Sequence, residues 1–356
     1  MNSIFDISRK TPQISTIFLM LLSLLSQSLK SQDAQFSQFY VSSLYLNPAL
    51  AGQEGEQTFS SNYRMQWRSV ANPFVTNQLS FIHPLKTKEM FHNHKGGVGV
   101  SLFNDRAGEG SLKTNGFHMS GAYNLELAKS SYHFLSFGLQ MGLIQKTIDF
   151  ANLQWGSQYN PYIGFDANQV PDETNVVNGR LYADINAGLM WYYNGTRDYE
   201  EAKFSGYAGF SGYHLNQPNE SFIRGNTSRL PMLLRAHAGF EYEIGERFYV
   251  SPNALYAMQS QSSQLNLGLY FTVKMNNSKE GLYRNARFTF GGWHRLKDSY
   301  VFSTGFGSDI FQFGFSYDLN TSSLRYATGG RGAYELSLVL RRVKTEKLKR
   351  YSTPRF

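Results

Sequence analysis

Hydrophobic and polar residues alternate one by one over most of the chain beyond residue 56. In segment 134–144 the odd positions from Leu135 to Leu143 are apolar, and the even positions from Ser136 to Gly142 are small or polar. Segments 311–319 and 265–274 repeat the pattern. Because successive side chains of a β-strand point to opposite faces, each block predicts a strand with one apolar face and one polar face.

We predict about fourteen strands of this kind. They lie near 57–68, 75–82, 97–104, 114–127, 132–146, 181–194, 202–213, 231–243, 247–258, 263–275, 286–295, 299–306, 311–319 and 332–342. An even number of strands suits a closed antiparallel barrel. The two longest connections, 147–180 and 214–230, and also 320–331 follow odd-numbered strands, as expected if short turns face the periplasm and long loops face outside. Several inward connections are tight, and two, 83–96 and 276–285, are longer.

A soluble β-sandwich or propeller would also show alternation, because a soluble sheet buries one face and wets the other. Composition favours the membrane: aromatic residues make up 15% of the chain, and there are 32 glycines. Trp191, Tyr192 and Tyr193 lie near a strand end, where an aromatic girdle is expected. The predicted fold is therefore all-β, a transmembrane antiparallel β-barrel of about fourteen strands.

The first 31 residues have the features of a cleavable signal peptide. Arg9 and Lys10 precede an apolar stretch at 14–25, and cleavage is expected after Ser28 or Ser31. The apolar stretch is too short to span a membrane comfortably. We predict a signal peptide at 1–31, a leader at 32–56, the barrel at 57–342 and a basic tail at 343–356.

The leader is rich in aromatic residues and ends in Asn47-Pro48-Ala49-Leu50-Ala51-Gly52. Pro48 biases Asn47 towards an extended conformation, and Gly52 permits a positive φ where the chain turns. We predict an extended leader that lies at the periplasmic mouth or in the lumen and packs against the barrel or a partner. Its predicted partner-binding residues are Phe36, Phe39, Tyr40, Tyr45, Asn47, Pro48 and Gly52.

The formal net charge is +8, but the charges are scattered, so nucleic acid is not an expected partner. The cationic loops suit anionic lipid headgroups of the outer membrane or an acidic partner. Arg64 and Arg68 share a face of the first strand. We predict that they are lumen charges, paired with Asp184 or Glu241.

No metal site or cofactor is expected. The chain contains no cysteine. His92 and His94 are two residues apart, but the adjacent Lys95 opposes metal binding, and the other histidines are dispersed. An outer-membrane lipase would need a Ser–His pair, and His118 and His133 have serines nearby. The sequence lacks the G-x-S-x-G motif of many hydrolases, so we predict that the protein is not an enzyme.

Several ordered motifs resemble one family. The leader segment QFSQFYVSSLYLNPALAG is followed by Asn62-Tyr63-Arg64-Met65-Gln66-Trp67 and by the segment GVGVSLFNDRAG at 97–108. Later come GGWHR at 291–295, FSYDLNTSSL at 315–324 and ELSL at 335–338. Together they resemble the PorP/SprF family of outer-membrane proteins in the type IX secretion and gliding apparatus.

The resemblance implies a barrel that supports the export or surface anchoring of proteins with type IX C-terminal signals. It implies as partners outer-membrane lipids, a secreted surface protein with a type IX C-terminal domain, and periplasmic ring, motor or peptidoglycan-associated components. It brings no catalytic residues. A passive channel for small solutes is the alternative function.

Overall fold

The computed structural model describes residues 33–53, 55–69, 72–86, 94–108, 112–128, 132–150, 153–172, 175–194, 203–275 and 281–342. The predicted signal peptide and basic tail lie outside these residues. The strands are β1 (Thr58–Gln66), β2 (Phe74–Lys86), β3 (His94–Ala107), β4 (Leu112–Ala128), β5 (Tyr132–Thr147), β6 (Tyr159–Asn160), β7 (Gly164–Phe165), β8 (Gly179–Asn194), β9 (Phe204–Tyr213), β10 (Leu233–Glu243), β11 (Phe248–Gln259), β12 (Ser262–Lys274), β13 (Arg287–Arg295), β14 (Ser299–Gly307), β15 (Phe311–Asn320) and β16 (Arg331–Arg341). Within the described ranges, two short α-helices, α1 (Ser43–Leu46) and α2 (Arg325–Thr328), lie outside the strands.

Fourteen of the strands form one closed antiparallel barrel, and β6 and β7 form a separate hairpin. Each barrel strand pairs with its neighbour along the chain, and β1 closes the barrel against β16. The seam runs from Thr58 opposite Arg341 to Gln66 opposite Ala333. Closure gives every barrel strand a hydrogen-bonded neighbour on both sides.

Alternation decides which side chains face outwards. On β5, Leu139 and Met141 are 66% and 67% exposed, whereas Gln140 between them is 2% exposed. The outward apolar side chains suit lipid, and the inward polar ones face an interior that the leader fills. Each predicted strand range overlaps one barrel strand, so the prediction of about fourteen strands is confirmed.

Loops of different length lie at the two ends of the barrel. The connections 148–178, 214–232 and 321–330 lie at one end, here called the long-loop end. The opposite, short-turn end includes the tight connections 244–247 and 308–310. The rule that long loops are external places the long-loop end outside the cell.

The leader departs from the predicted extended path. It contains α1 and a 3₁₀ helix over Pro48–Gly52, both within the barrel interior. Asn47 between them is extended, as Pro48 requires, with φ −160° and ψ 122°. Gly52 is part of the 3₁₀ helix rather than a positive-φ turn. Its need for glycine is steric, because a Cβ there would lie 2.4 Å from Asn124 Oδ1.

The structure differs from the sequence prediction in two smaller ways. Strand β2 continues through Pro84, beside a register shift against β3 that accommodates the missing N–H. The β6–β7 hairpin lies within a connection predicted as loop. Among the residues that the structure describes, no helix is long and apolar enough to span a membrane.

Candidate functional site in the barrel interior

The leader lies in the lumen and contacts strands on all sides. Ser37 lies beside Asp318, close to the long-loop end of β15. Gly52 lies beside Asn124, close to the short-turn end of β4. The leader therefore passes through the interior from near one end to the other, and then turns into β1.

A buried ion network holds the start of the leader. The Glu335 carboxylate accepts hydrogen bonds from the backbone N–H groups of Ser37 and Gln38, at 2.7 and 2.9 Å. Arg64 lies beside both acids, 2.7 Å from Asp318 and 3.3 Å from Glu335. Ser37 Oγ lies 2.7 Å from Asp318 Oδ1. We call Ser37, Gln38, Arg64, Asp318 and Glu335 the ionic latch.

The predicted pairing of Arg64 with Asp184 or Glu241 is wrong. Seam closure places Arg64 opposite Glu335, and Asp318 comes from the strand beyond. All three side chains are at most 2% exposed. Removing one partner from a buried ion pair costs about 3–5 kcal/mol, because the other charge stays buried. The stability of the ionic latch is therefore expected to depend on each of its charged side chains.

An aromatic cluster lies next along the leader. The ring of Phe39 packs edge-on against Trp293 with centroids 4.7 Å apart, and Trp293 Nε1 donates to Tyr270 Oη at 2.5 Å. The hydroxyls of Tyr40 and Tyr207 contact each other.

Asn47 connects the leader to three strands. Its Oδ1 accepts from Ala49 N at 2.9 Å, which caps the 3₁₀ helix. Its Nδ2 donates to the carbonyl oxygens of Leu189 and Phe210, at 3.0 and 3.3 Å, and lies 3.2 Å from His237 Nε2. The side chain is fully buried. This single amide joins the leader to β8, β9 and β10.

Glycines in the barrel wall let the 3₁₀ helix lie directly on the strands. A Cβ added at Gly188 would lie 1.9 Å from Asn47 Oδ1, and one at Gly138 would lie 2.2 Å from Ala49 N. A Cβ at Gly97 would lie 2.0 Å from the carbonyl oxygen of Ala51. The leader therefore packs directly against the backbone of the barrel wall, and a side chain at any of these three glycines would clash with it.

Tyr45 lies in a cationic corner of the lumen. The Arg235 guanidinium lies 4.8 Å from the Tyr45 ring centroid and 4.9 Å from that of Tyr213. It also donates to the Tyr45 carbonyl oxygen. The Tyr45 hydroxyl donates to the carbonyl oxygen of Ala34 at 2.8 Å, which folds the first leader residues back on the helix.

The other predicted lumen residues have different surroundings. Asp184 is buried, with His214 Nδ1 at 2.7 Å and His118 Nε2 at 3.6 Å. Glu241 is also buried, and Ser251 Oγ lies 3.4 Å from it. Arg68 lies beyond the end of β1 and is exposed, so it is not a lumen residue.

Of the histidines considered for a lipase, His118 and its nearby Ser120 each contact other residues. Ser120 Oγ accepts from Gln140 Nε2 at 2.8 Å, and His118 stacks on Phe103. His133 accepts from Trp191 Nε1 at 2.7 Å. Its predicted serine neighbours, Ser130 and Ser131, lie outside the described residues.

All seven leader residues predicted to bind a partner contact the barrel interior in this structure. Phe36, Phe39, Asn47, Pro48 and Gly52 are buried, and the other two are partly buried. The sequence reasoning missed the acidic latch residues, Arg235, and the wall glycines Gly138 and Gly188. The two glycines could have been found from the sequence, because they lie among polar residues on the predicted inward face of their strands.

The sequence model of the family described as type IX secretion system membrane protein PorP/SprF matches residues 28–340. The chain belongs to the PorP/SprF family. Membership makes the protein a membrane component of type IX secretion, and the closed barrel is the form in which such a chain spans the outer membrane. None of the curated protein sequences matches the chain significantly.

Solved structures similar to this PorP/SprF chain include the toluene transporters TbuX of Ralstonia pickettii and TodX of Pseudomonas putida. TbuX is 11% identical with a TM-score of 0.47, over 90% of this chain and 98% of the transporter. TodX is 10% identical with a TM-score of 0.44, over 84% and 92%. The Acinetobacter baumannii outer membrane protein Omp33 is 8% identical with a TM-score of 0.39, over 82% and 100%. These similarities are confined to barrel architecture.

The motifs that carry the PorP/SprF resemblance converge on the leader. Asn62, in the first-strand motif, donates to Ser42 Oγ at 2.8 Å, and Arg64 of the same motif belongs to the ionic latch. Trp293 comes from the GGWHR segment, Asp318 from FSYDLNTSSL and Glu335 from ELSL. Segments far apart in sequence therefore form one lumen surface that binds the chain's own N-terminal residues.

Proposed function

We propose that this protein is a non-enzymatic docking component of type IX secretion that supports the export or surface anchoring of proteins with type IX C-terminal signals. The leader occupies the lumen, so the surface available to a secreted protein is the long-loop end. The periplasmic components of the system would contact the short-turn end and the basic tail.

An ordered loop layer at the long-loop end supports docking there. The connections 148–178 and 214–232 are joined by backbone hydrogen bonds from Val177 N to Phe222 O at 2.8 Å and from Arg224 N to Asn175 O at 3.1 Å. An ion pair between Lys146 and Glu220 ties this layer to β5. We call these two connections the loop platform.

The loop platform exposes large apolar side chains. Tyr162 and Ile163, at the tip of the β6–β7 hairpin, are 95% and 69% exposed, and Val170 is 78% exposed. Exposed apolar side chains on an ordered surface are a common feature of protein-binding sites. This observation carries the proposal, since it offers a docking surface above a barrel that its own leader fills.

The test uses a fluorescent protein fused to a type IX C-terminal signal domain, bound to the purified barrel in detergent. Burying two apolar side chains contributes about 1.5–3 kcal/mol each, so Tyr162→Ser with Ile163→Ser should weaken binding about 100-fold or more. A matched control replaces Ile244 and Leu282, which are exposed at the opposite end, with serine.

Equal binding by the two double variants would refute docking at the loop platform. The channel alternative makes a different prediction, namely solute-dependent conductance by the wild-type barrel in planar bilayers. The leader's contacts on every side of the lumen lead us to expect no steady conductance. A stable open channel in the wild type would favour the alternative.

A further inference from the structure

A row of amide side chains crosses the outer wall of the barrel over β2–β5. Asn77 pairs in register with Asn104, Asn104 with Asn115, and Asn115 with Gln145. All four occupy outward positions, and Asn104 Nδ2 donates to Asn115 Oδ1 at 2.6 Å. Elsewhere on the described barrel strands, outward positions are mostly apolar. We call these four residues the amide row.

The amide row lies at headgroup level. On β4 the outward positions from Phe117 to Leu127 are apolar or glycine, and Asn115 comes directly above them. Ten residue steps of about 3.4 Å, tilted by about 40°, rise about 26 Å along the membrane normal. The apolar band of an outer-membrane barrel is about 25 Å tall, so the amide row lies just above the outer edge of the hydrocarbon.

Two cations lie one position farther out. Arg106 and Lys113 are directly opposite each other on β3 and β4, and both side chains are exposed. Two exposed cations side by side on one sheet face raise the local positive potential, which attracts anions. Arg and Lys are the side chains that bind phosphate.

A groove of 400 Å³ follows the amide row. All four amides line it on the outer side. On the membrane side it is lined by the apolar side chains of Leu79, Leu102, Phe117 and Leu143. The groove is therefore polar where headgroups lie and apolar where acyl chains begin.

We propose that this groove binds a phosphorylated glycolipid of the outer leaflet. Three strand spacings of about 4.8 Å make the row about 14 Å long, which suits a disaccharide headgroup better than a single phosphodiester. An amide donates and accepts hydrogen bonds, as sugar hydroxyls do. Arg106 and Lys113 bind the phosphate, and the apolar side of the groove holds the first part of an acyl chain.

The test is native mass spectrometry of the mature barrel titrated with bisphosphorylated lipid A, and separately with phosphatidylglycerol. Each double variant removes hydrogen bonds or ionic contacts to the headgroup. Asn104→Leu with Asn115→Leu, and separately Arg106→Gln with Lys113→Gln, should each weaken lipid A binding about tenfold or more. Asn→Leu keeps the number and branching of the side-chain heavy atoms and suits a lipid-facing surface.

The control removes two cations elsewhere at the same end, by Arg229→Gln with Arg325→Gln. It should leave lipid A binding unchanged, and phosphatidylglycerol should bind the wild type about tenfold more weakly than lipid A. An electrophoretic shift on heating checks that each variant is folded. Lipid A binding that is absent, that matches phosphatidylglycerol, or that is equal in all variants would overturn the proposal. A different result would also overturn it: the Asn→Leu variant binds lipid A normally but loses a membrane protein that co-purifies with the wild type. The amide row would then be a protein interface.

Discussion

Replacing Glu335 in the ionic latch should release the start of the leader. The carboxylate accepts two hydrogen bonds from leader N–H groups, at 2.7 and 2.9 Å, and one from Arg64 at 3.3 Å. A hydrogen bond to a charged group is worth about 1.5–3 kcal/mol, so Glu335→Leu should destabilise the docked leader by at least about 3 kcal/mol. At about 1.4 kcal/mol per factor of ten, the released population should rise about 150-fold.

The absence of cysteine from the chain makes this release measurable. A single Val41→Cys substitution places a thiol on the buried leader, next to the turn in which Val41 N donates to Gln38 O. Its rate of reaction with a water-soluble maleimide follows the open population when closing is fast. We expect the Glu335→Leu background to raise that rate about 100-fold or more.

Two controls separate release from unfolding. Asp318→Asn removes a different latch charge and should raise the rate less, because Glu335 still holds both leader N–H groups. A cysteine at exposed Tyr162 should react at the same rate in every background. An unchanged rate at Val41→Cys in a folded Glu335→Leu barrel would refute the latch.

Three further predictions concern the leader. Gly188→Ala places a Cβ 1.9 Å from Asn47 Oδ1, so it should lower the unfolding temperature and raise the rate of leader labelling. Gly121→Ala is the control and should change neither, because nothing lies within 4 Å of its Cβ. Equal effects of the two substitutions would show that the barrel wall is not fitted to the leader. Replacing Pro48 and Ala49 by glycine adds about 1 kcal/mol of backbone entropy per residue, so it should reduce cargo export more than barrel folding; intact secretion would contradict this. Deleting the leader should open the lumen, and planar-bilayer recordings that stay silent would contradict that expectation.

The barrel was predictable because its evidence is local. Alternation over eight to sixteen residues shows which face of a strand meets lipid, and the register between neighbours follows from short connections. The order of long and short loops then gave the direction of the strands. None of these steps required a contact between residues distant in sequence, except for the seam.

The lumen contacts depend on that seam and were predicted poorly. Arg64 and Glu335 are separated by 271 positions, and they meet only because the first strand pairs with the last. Asp184 and Glu241 were plausible partners on sequence grounds, since both are inward acids. The distance around the barrel excludes the pairing, and no local pattern reveals that distance.

The leader was predicted as extended because Pro48 biases Asn47 towards an extended conformation and Gly52 was expected to form a turn. Inside a closed barrel there is no free strand edge to pair with, so its backbone groups need local partners or wall side chains. Short helical turns provide local partners, since Asn47 N donates to Ser43 O at 2.9 Å. Gln140 is a wall side chain of this kind, and its Nε2 donates to Leu44 O at 3.1 Å.

The position of Glu335 has a consequence for assembly. The leader and β1 are made first, and β16 is made last, yet the latch needs all three together. Until the final strand pairs with the first, Ser37 and Gln38 lack their acceptor and Arg64 lacks one of its two counter-ions. We therefore expect barrel closure and leader docking to be one cooperative event. Docking of the leader would therefore report whether the barrel has closed. A barrel that has not closed holds its leader loosely, and the leader then remains accessible to proteases.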